Sequence, residues 1–431
     1  MRRIHPPGVP PVRRRELVAW ASYDFANSGY TTVVITAVFN AYFVGVVAGG
    51  EDWGTLAWTL ALSASYLLVI ASAPLLGAWA DLTARKKAAL AASTVLCVAS
   101  TAALAWCGRG DVALAVTLLI VSNFAFSTGE NLVASFLPEL ARDEALGKLS
   151  GYGWALGYVG GLLSLGVALA LIQGAGDVPA ESKVPPVFVA TAVLFALAAL
   201  PALLLLRERA RPRRLHRGEA FGLAWGRIAG ALATSRELVD LRRFLWCIVA
   251  YQAGVGTVIT LAAVYTQQAL GFSTEDSIRL ILVVNVAAAL GAFAFGHLQD
   301  RLGHRATLAL TLVGWLAAIG LLWASESRTT VWVAANLAGA CLGASQSAGR
   351  AFVAYLCPDD REGEIFGLWG LAVKLAMIAG TLTYGVVTWV TDGDHRTAIL
   401  ANGLFFVAGL LLLARVDPER GRIAANRRVS A

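Results

Sequence analysis

Gly296-His297-Leu298-Gln299-Asp300-Arg301-Leu302-Gly303-His304-Arg305 has an echo in the first half of the chain, Gly77-Ala78-Trp79-Ala80-Asp81-Leu82-Thr83-Ala84-Arg85-Lys86-Lys87. Both stretches place Asp four residues after Gly, end in basic residues and follow the second apolar block of their half. Two weaker echoes keep the same phase. Thr32-Val33-Val34 matches Thr257-Val258-Ile259, and Pro138 and Pro358 close corresponding blocks. Repetition at matched positions is the sign of a duplicated membrane protein, in which each half contributes one copy of every element.

Outward from these loops the chain is a succession of apolar blocks. Of its 431 residues 57% are hydrophobic and 15% charged, against roughly 25% charged in soluble domains. The blocks are each near the ~20 residues that cross a bilayer core as helix, and the ~10-residue alternation of a membrane β-barrel is missing. The expected helices are 17–45, 57–80, 86–107, 111–136, 150–173, 186–206, 243–269, 277–298, 305–324, 329–352, 364–390 and 396–415. The fold class is therefore all-α integral membrane, with twelve transmembrane helices in two pseudo-symmetric six-helix bundles, 17–206 and 243–415. A cytosolic tail, 1–16, precedes them, a basic linker, 207–242, joins them, and a second cytosolic tail, 416–431, follows. In the linker Phe221, Trp225, Ile228 and Leu232 recur at helical spacing, as in an amphipathic helix lying on the membrane surface.

The net charge of +7 would fit a nucleic-acid binder were it not for its placement. With the N-terminus in the cytosol, the loops on the far side hold only Arg109, Lys183, Arg279, Arg328 and Arg396, and the other 30 basic residues lie on the cytosolic side or in the helices. That asymmetry is the positive-inside rule. It predicts a multi-pass protein of the bacterial cytoplasmic (inner) membrane with both termini cytosolic, and no nucleic-acid partner. Cys97, Cys107, Cys247, Cys341 and Cys357 are scattered without metal-ligand spacing and read as packing thiols.

Gly-x-x-x-Asp-Arg-x-Gly-Arg-Arg/Lys between the second and third spans is the signature of the major facilitator superfamily, and this sequence resembles it in both halves. The second copy keeps Gly296, Asp300, Arg301, Gly303 and Arg305. The first keeps Gly77, Asp81, Arg85 and Lys86 but has Leu82 and Ala84 where Arg and Gly are usual. Glycine allows close helix approach, and an Asp at a helix end can accept hydrogen bonds from a neighbouring helix N-terminus and from Arg. These nine residues are expected to form gating latches, and the fuller second copy makes Asp300 the more important acid. Tyr23-Asp24-Phe25-Ala26-Asn27-Ser28, Leu137-Pro138-Glu139-Leu140 with the glycine-rich run from Gly151, and Phe366-Gly367 with Lys374 resemble the bacterial relatives of the fungal vacuolar amino-acid effluxer of autophagy. That resemblance implies export of amino acids or similar small polar solutes, and a central cavity lined by the first, fourth, seventh and tenth spans.

Charged groups at membrane depth are costly and mark function by default. Asp24, Glu130, Arg350 and Lys374 stand out. Asp24, Asn27, Ser28 and Thr31 share one helix face, as do Asn123, Ser127, Glu130 and Asn131. Gln252 corresponds to Asn27 once Thr32 is matched to Thr257. Glu130 and Arg350 each lie eight residues before the closing proline of their block, so they are expected to face one another. In this reading Arg350 and Lys374 hold a carboxylate, while Glu130, or secondly Asp24, receives an ammonium group or a coupling proton. Fixed packing pairs and snorkelling side chains are the alternative.

The run Gly153, Gly157, Gly161 follows no strand, which excludes a dinucleotide site and points to close helix packing. A Walker lysine motif is absent from the sequence. The sequence thus points to a secondary active transporter, working as a monomer by alternating access on a small polar or zwitterionic solute, as an exporter. It needs no cofactor and has possible proton coupling. An uncoupled facilitator or sensor on the same fold, or a lipid-modifying membrane enzyme, stays open.

Overall fold

A computed structural model describes residues 12–427 apart from 52, 142–144, 177, 210–221, 224–237, 269–273, 325–326, 360 and 393. Phe221, Trp225, Ile228 and Leu232 lie outside the described residues. The described chain is helical, with no strand among those residues. Twelve long helices run in order: α1 (Arg14–Tyr30), α2 (Gly54–Thr83), α3 (Lys86–Ala103), α4 (Val112–Ala134), α5 (Leu146–Gly174), α6 (Pro185–Leu205), α7 (Val239–Gln268), α8 (Thr274–Leu302), α9 (His304–Ala324), α10 (Arg328–Leu356), α11 (Glu362–Val390) and α12 (His395–Leu413). Among the described residues ten helices are long and apolar enough to cross a membrane. α10 falls short of that measure because polar residues such as Asn336, Gln346 and Arg350 dilute it.

Local chemistry shapes the ends. α1 continues past Tyr30 as π-helix over Thr31–Ala37, a single α-turn at Phe39–Tyr42 and a second π-segment, Phe43–Val47. The β-branched run Thr31-Thr32-Val33-Val34-Ile35-Thr36 crowds an α-helical surface, and Thr36 Oγ1 donates to the Thr31 carbonyl five residues back at 3.0 Å. Asp394 caps α12, accepting the backbone N–H groups of Arg396 and Thr397 at 2.9 and 3.1 Å, and the hydrogen bonds from Thr397 hold its carboxyl below its ordinary range.

Six helices form each half, and the halves meet along α2 with α11 and α5 with α8. Backbones touch at these seams. A Cβ on Gly77 would run into the backbone carbonyl of Gly363, and one on Gly151 into α8. The glycine run of α5 lies instead against α1, with Gly153 on Asp24, Gly157 on Ser28 and Gly161 on Thr32. That is the close packing its spacing predicts.

The residues after α12 are more than a tail. They form α13 (Pro418–Arg427), strapped to the end of the molecule that carries the basic loops. Arg420 makes two 2.7 Å hydrogen bonds to Asp240 at the start of α7, and Arg422 donates to the Tyr355 carbonyl at the end of α10 at 3.2 Å. The short sequence between Leu413 and the C-terminus is too polar to reveal that docking.

Candidate functional site

The two repeated loops end in the same conformation. Gly303 has φ +84° and Ala84, at the equivalent turn, has φ +50°. Alanine pays roughly 1 kcal/mol for a left-handed conformation that glycine adopts freely, so the departure in the first copy changes the residue but not the turn.

Each loop reaches across to the other half. Asp81 accepts the backbone N–H groups of Gly363 and Glu364 at 3.0 and 2.9 Å, at the start of α11. Asp300 accepts those of Gly147 and Lys148 at 3.0 and 3.1 Å, at the start of α5. Unsatisfied N–H groups and the positive end of the helix dipole are natural partners for a carboxylate. Two related carboxylate-to-helix contacts therefore join the halves at the basic end.

Their surroundings differ. Asp81 is buried beside Lys86, whose ammonium lies 3.3 Å from Asp81, 2.7 Å from Glu139 and 3.0 Å from Glu362. Lys86 is 0% exposed. Asp300 is half-buried and is held by the two backbone groups, while Arg301 is exposed and Arg305 donates to the Ala414 carbonyl at 2.9 Å within its own half. Arg85, also exposed, forms the N-cap of α3. Asp81→Asn is accordingly expected to reduce transport several-fold more than Asp300→Asn, measured as initial rates at matched protein levels in liposomes. Equal rates for the two variants would remove the distinction.

The intramembrane charges pair differently from expectation. Arg350 does not meet Glu130; it meets Asp24, with a 2.9 Å hydrogen bond from Nη1 to Oδ1 and a 2.7 Å ionic contact between Nη2 and Oδ2, which accepts no hydrogen bond from a described residue. Its Nε donates to Ser150 Oγ at 3.1 Å and its Nη2 to the Ser150 carbonyl at 3.0 Å, and Ser150 in turn donates to the Ser347 carbonyl at 2.9 Å. The guanidinium lies between Trp20 and Trp154, 4.7 and 5.4 Å from their ring centroids. Arg350 is buried, paired with Asp24 and flanked by two indoles, so it is not placed to hold a solute carboxylate in this form. The pair joins α1 of one half to α10 of the other.

Glu130 faces Lys374 at 3.9 Å, again across the halves. The contact is loose. Glu130 keeps 26% of its side-chain surface exposed, and Lys374 lies over Tyr66 and Phe126, 5.2 and 5.9 Å from their centroids.

Depth separates the two pairs. Ser150 is three residues along α5 from the latched Gly147, which is ~4.5 Å of rise, whereas Lys374 is eleven residues along α11 from the latched Gly363, ~16 Å. Against a core of ~30 Å, Asp24–Arg350 belongs to the closure at the basic end and Lys374–Glu130 lies near the middle. Asn27 sits one turn inward of Asp24, buried, with neither end of its amide hydrogen-bonded to a described residue. The Nδ2 of buried Asn131 and the Trp154 Nε1 are likewise unpartnered among the described residues. Gln252 donates to Gln346 at 2.5 Å, linking α7 to α10.

Ser150, Trp20 and Trp154 were not singled out by sequence, because a serine and two tryptophans in apolar helices carry no distinctive signal. Glu139 and Glu362 had one: each is an acid at the end of a span beside a helix-closing proline or a charged loop.

Transporters of known structure share this architecture. The proton:xylose symporter XylE, bound to 6-bromo-6-deoxy-D-glucose, superposes with a TM-score of 0.75 at 16% identity, over 96% of this chain and 98% of that one. The human organic anion transporter MFSD10 does so with 0.73 at 17%, over 94% and 100%. These likenesses establish the major facilitator fold. In sequence the chain is 27% identical over 412 residues to the uncharacterised MFS-type transporter YxiO of Bacillus subtilis strain 168, covering 93% of this chain and 94% of that protein. It is 23% identical over 299 residues to autophagy-related protein 22-1 of Neosartorya fischeri, covering 64% of this chain and about half, 49%, of the fungal protein. The family model described as "Vacuole effluxer Atg22 like" matches residues 57–426, and the chain belongs to that family of membrane transporters.

Proposed function

We propose that this transporter exports a small zwitterionic or polar solute, an amino acid among the candidates, by alternating access coupled to a proton gradient. The observation that carries the reading is the loose Lys374–Glu130 pair near mid-membrane. An ammonium and a carboxylate 3.9 Å apart can exchange partners with a solute that bears both charges: the solute carboxylate takes Lys374, and its ammonium takes Glu130. A tightly bonded pair such as Asp24–Arg350 resists that exchange, because separating buried charges is costly. The Asn27 amide and the Asn131 Nδ2, without partners among the described residues and nearer the basic end, supply neutral hydrogen-bonding groups for the same cargo.

α11 connects this site to the latch, since one helix carries both Lys374 and the Gly363–Glu364 backbone that Asp81 holds. Alternating access then consists of breaking both latches and the Asp24–Arg350 pair together while the opposite end closes. The test is a screen of radiolabelled amino acids and other zwitterions in proteoliposomes. For any solute carried by the wild type, Lys374→Ala is expected to lower the rate at least tenfold. A variant that carries it at the wild-type rate makes the pair structural, and product formation in place of uptake marks an enzyme.

The proposed setting is the bacterial inner membrane, with both termini and 207–242 in the cytosol, on the basis of the basic loops. A reporter active only in the cytosol, fused to the C-terminus, is expected to be active. A silent fusion on a correctly inserted protein inverts the topology.

A further inference from the structure

At the Asp81 contact three carboxylates converge on one ammonium. Lys86 is shared by three carboxylates, Asp81 on α2, Glu139 just after α4 and Glu362 on α11, at 3.3, 2.7 and 3.0 Å, all of them with side chains less than a tenth exposed. The other charged groups described here have partners of their own. Lys87 donates its ammonium to the Leu204 and Leu206 carbonyls at 3.2 and 2.7 Å. Glu208, whose carboxyl burial pushes up, accepts the Lys87 backbone N–H at 3.0 Å. Arg361 is paired with Glu364, its Nε lying 3.0 Å from Glu364 Oε2. The buried Cys357 thiol is pushed well up by burial and stays neutral.

Within the cluster compensation is uneven. Asp81 has two backbone N–H donors and the α11 N-terminus besides Lys86. Glu139 bonds Lys86 through Oε1, while its Oε2 is buried without a hydrogen-bond partner among the described residues. An ionised carboxylate oxygen buried without a donor is costly, and a hydroxyl there removes the charge. We infer that the closed latch binds one proton, on Glu139, so that shutting the basic end takes up a proton from the water on that side and opening it releases the proton. This site is separate from Glu130 and does not depend on the identity of the solute.

The linkage has a definite sign. A proton bound more tightly by the closed form favours closure as pH falls, and one such site changes the open-to-closed ratio by up to about tenfold per pH unit. The experiment places spin labels at Ala88→Cys and Ala306→Cys, exposed positions in the first turns of α3 and α9, in the full-length protein in lipid nanodiscs without solute. Pulsed dipolar distances are then recorded between about pH 5 and pH 9, a range that spans the titration of buried carboxyl groups. The short-distance population is expected to grow as pH falls, and Glu139→Gln is expected to stay closed throughout. A flat wild-type profile overturns the proposal, as does Glu139→Gln that keeps the wild-type pH dependence or opens at every pH. Glu130→Gln gives a second arm that does not rely on the folding of the Glu139 variant. Persistence of the pH dependence there supports the latch site, and its loss moves the proton to the central cavity and overturns the proposal.

Discussion

Arg350→Ala is expected to release the basic end. The substitution leaves Asp24 as a buried charge without its counterion, and breaking a buried pair from one side costs about 3–5 kcal/mol. The two tryptophans at 4.7 and 5.4 Å also lose the cation between them. Because the pair spans the halves, the loss falls on the closed form and the equilibrium shifts towards opening by roughly two to four orders of magnitude. A cysteine introduced at Ser347, buried in this form, in a background lacking the five native cysteines, reports the shift as faster alkylation by an impermeant reagent from the basic side. Asp24→Asn combined with Arg350→Gln is expected to recover most of the protection, since neutral partners of similar shape remove the stranded charge. Wild-type alkylation rates in Arg350→Ala would falsify the lock.

Glu130→Gln is the second large effect, expected to abolish gradient-driven accumulation while leaving solute exchange across the membrane. A carboxylate in a partly dry cavity is pushed towards protonation by desolvation and away from it by a nearby cation. Alternating access can exchange those environments, and glutamine keeps the shape while losing the titration. Counterflow of labelled solute against unlabelled solute measures exchange, and uptake against a proton gradient measures coupling. Accumulation at the wild-type level makes Glu130 a fixed partner of Lys374, and absence of accumulation in the wild type itself favours an uncoupled facilitator. Arg350 differs here from its sequence-based role. Its guanidinium is spent on Asp24, Ser150 and two indoles, so weakened solute binding is expected from Lys374→Ala more than from Arg350→Ala.

The linear order of residues by itself determined the spans, their number and the duplication, because bilayer thickness forces each crossing to be a contiguous apolar block that is visible without knowing its neighbours. It also determined which acids and bases lie at membrane depth, since their cost is a property of position along the helix. Asp24, Glu130, Arg350 and Lys374 were legible for that reason, as were Asp81 and Asp300 in their paired loops. Only the tertiary structure decided who faces whom. The repeat relates Glu130 to Arg350 as equivalent positions, but equivalence under a pseudo-two-fold axis does not make two residues neighbours. The contacts across the halves instead join Asp24 to Arg350 and Glu130 to Lys374, because partners across the interface are set by how the two bundles dock. The same holds for Lys86, which looked like one more basic residue of a signature loop. Its burial among three carboxylates arises where the ends of four helices, from both halves, converge on one point that no local spacing records.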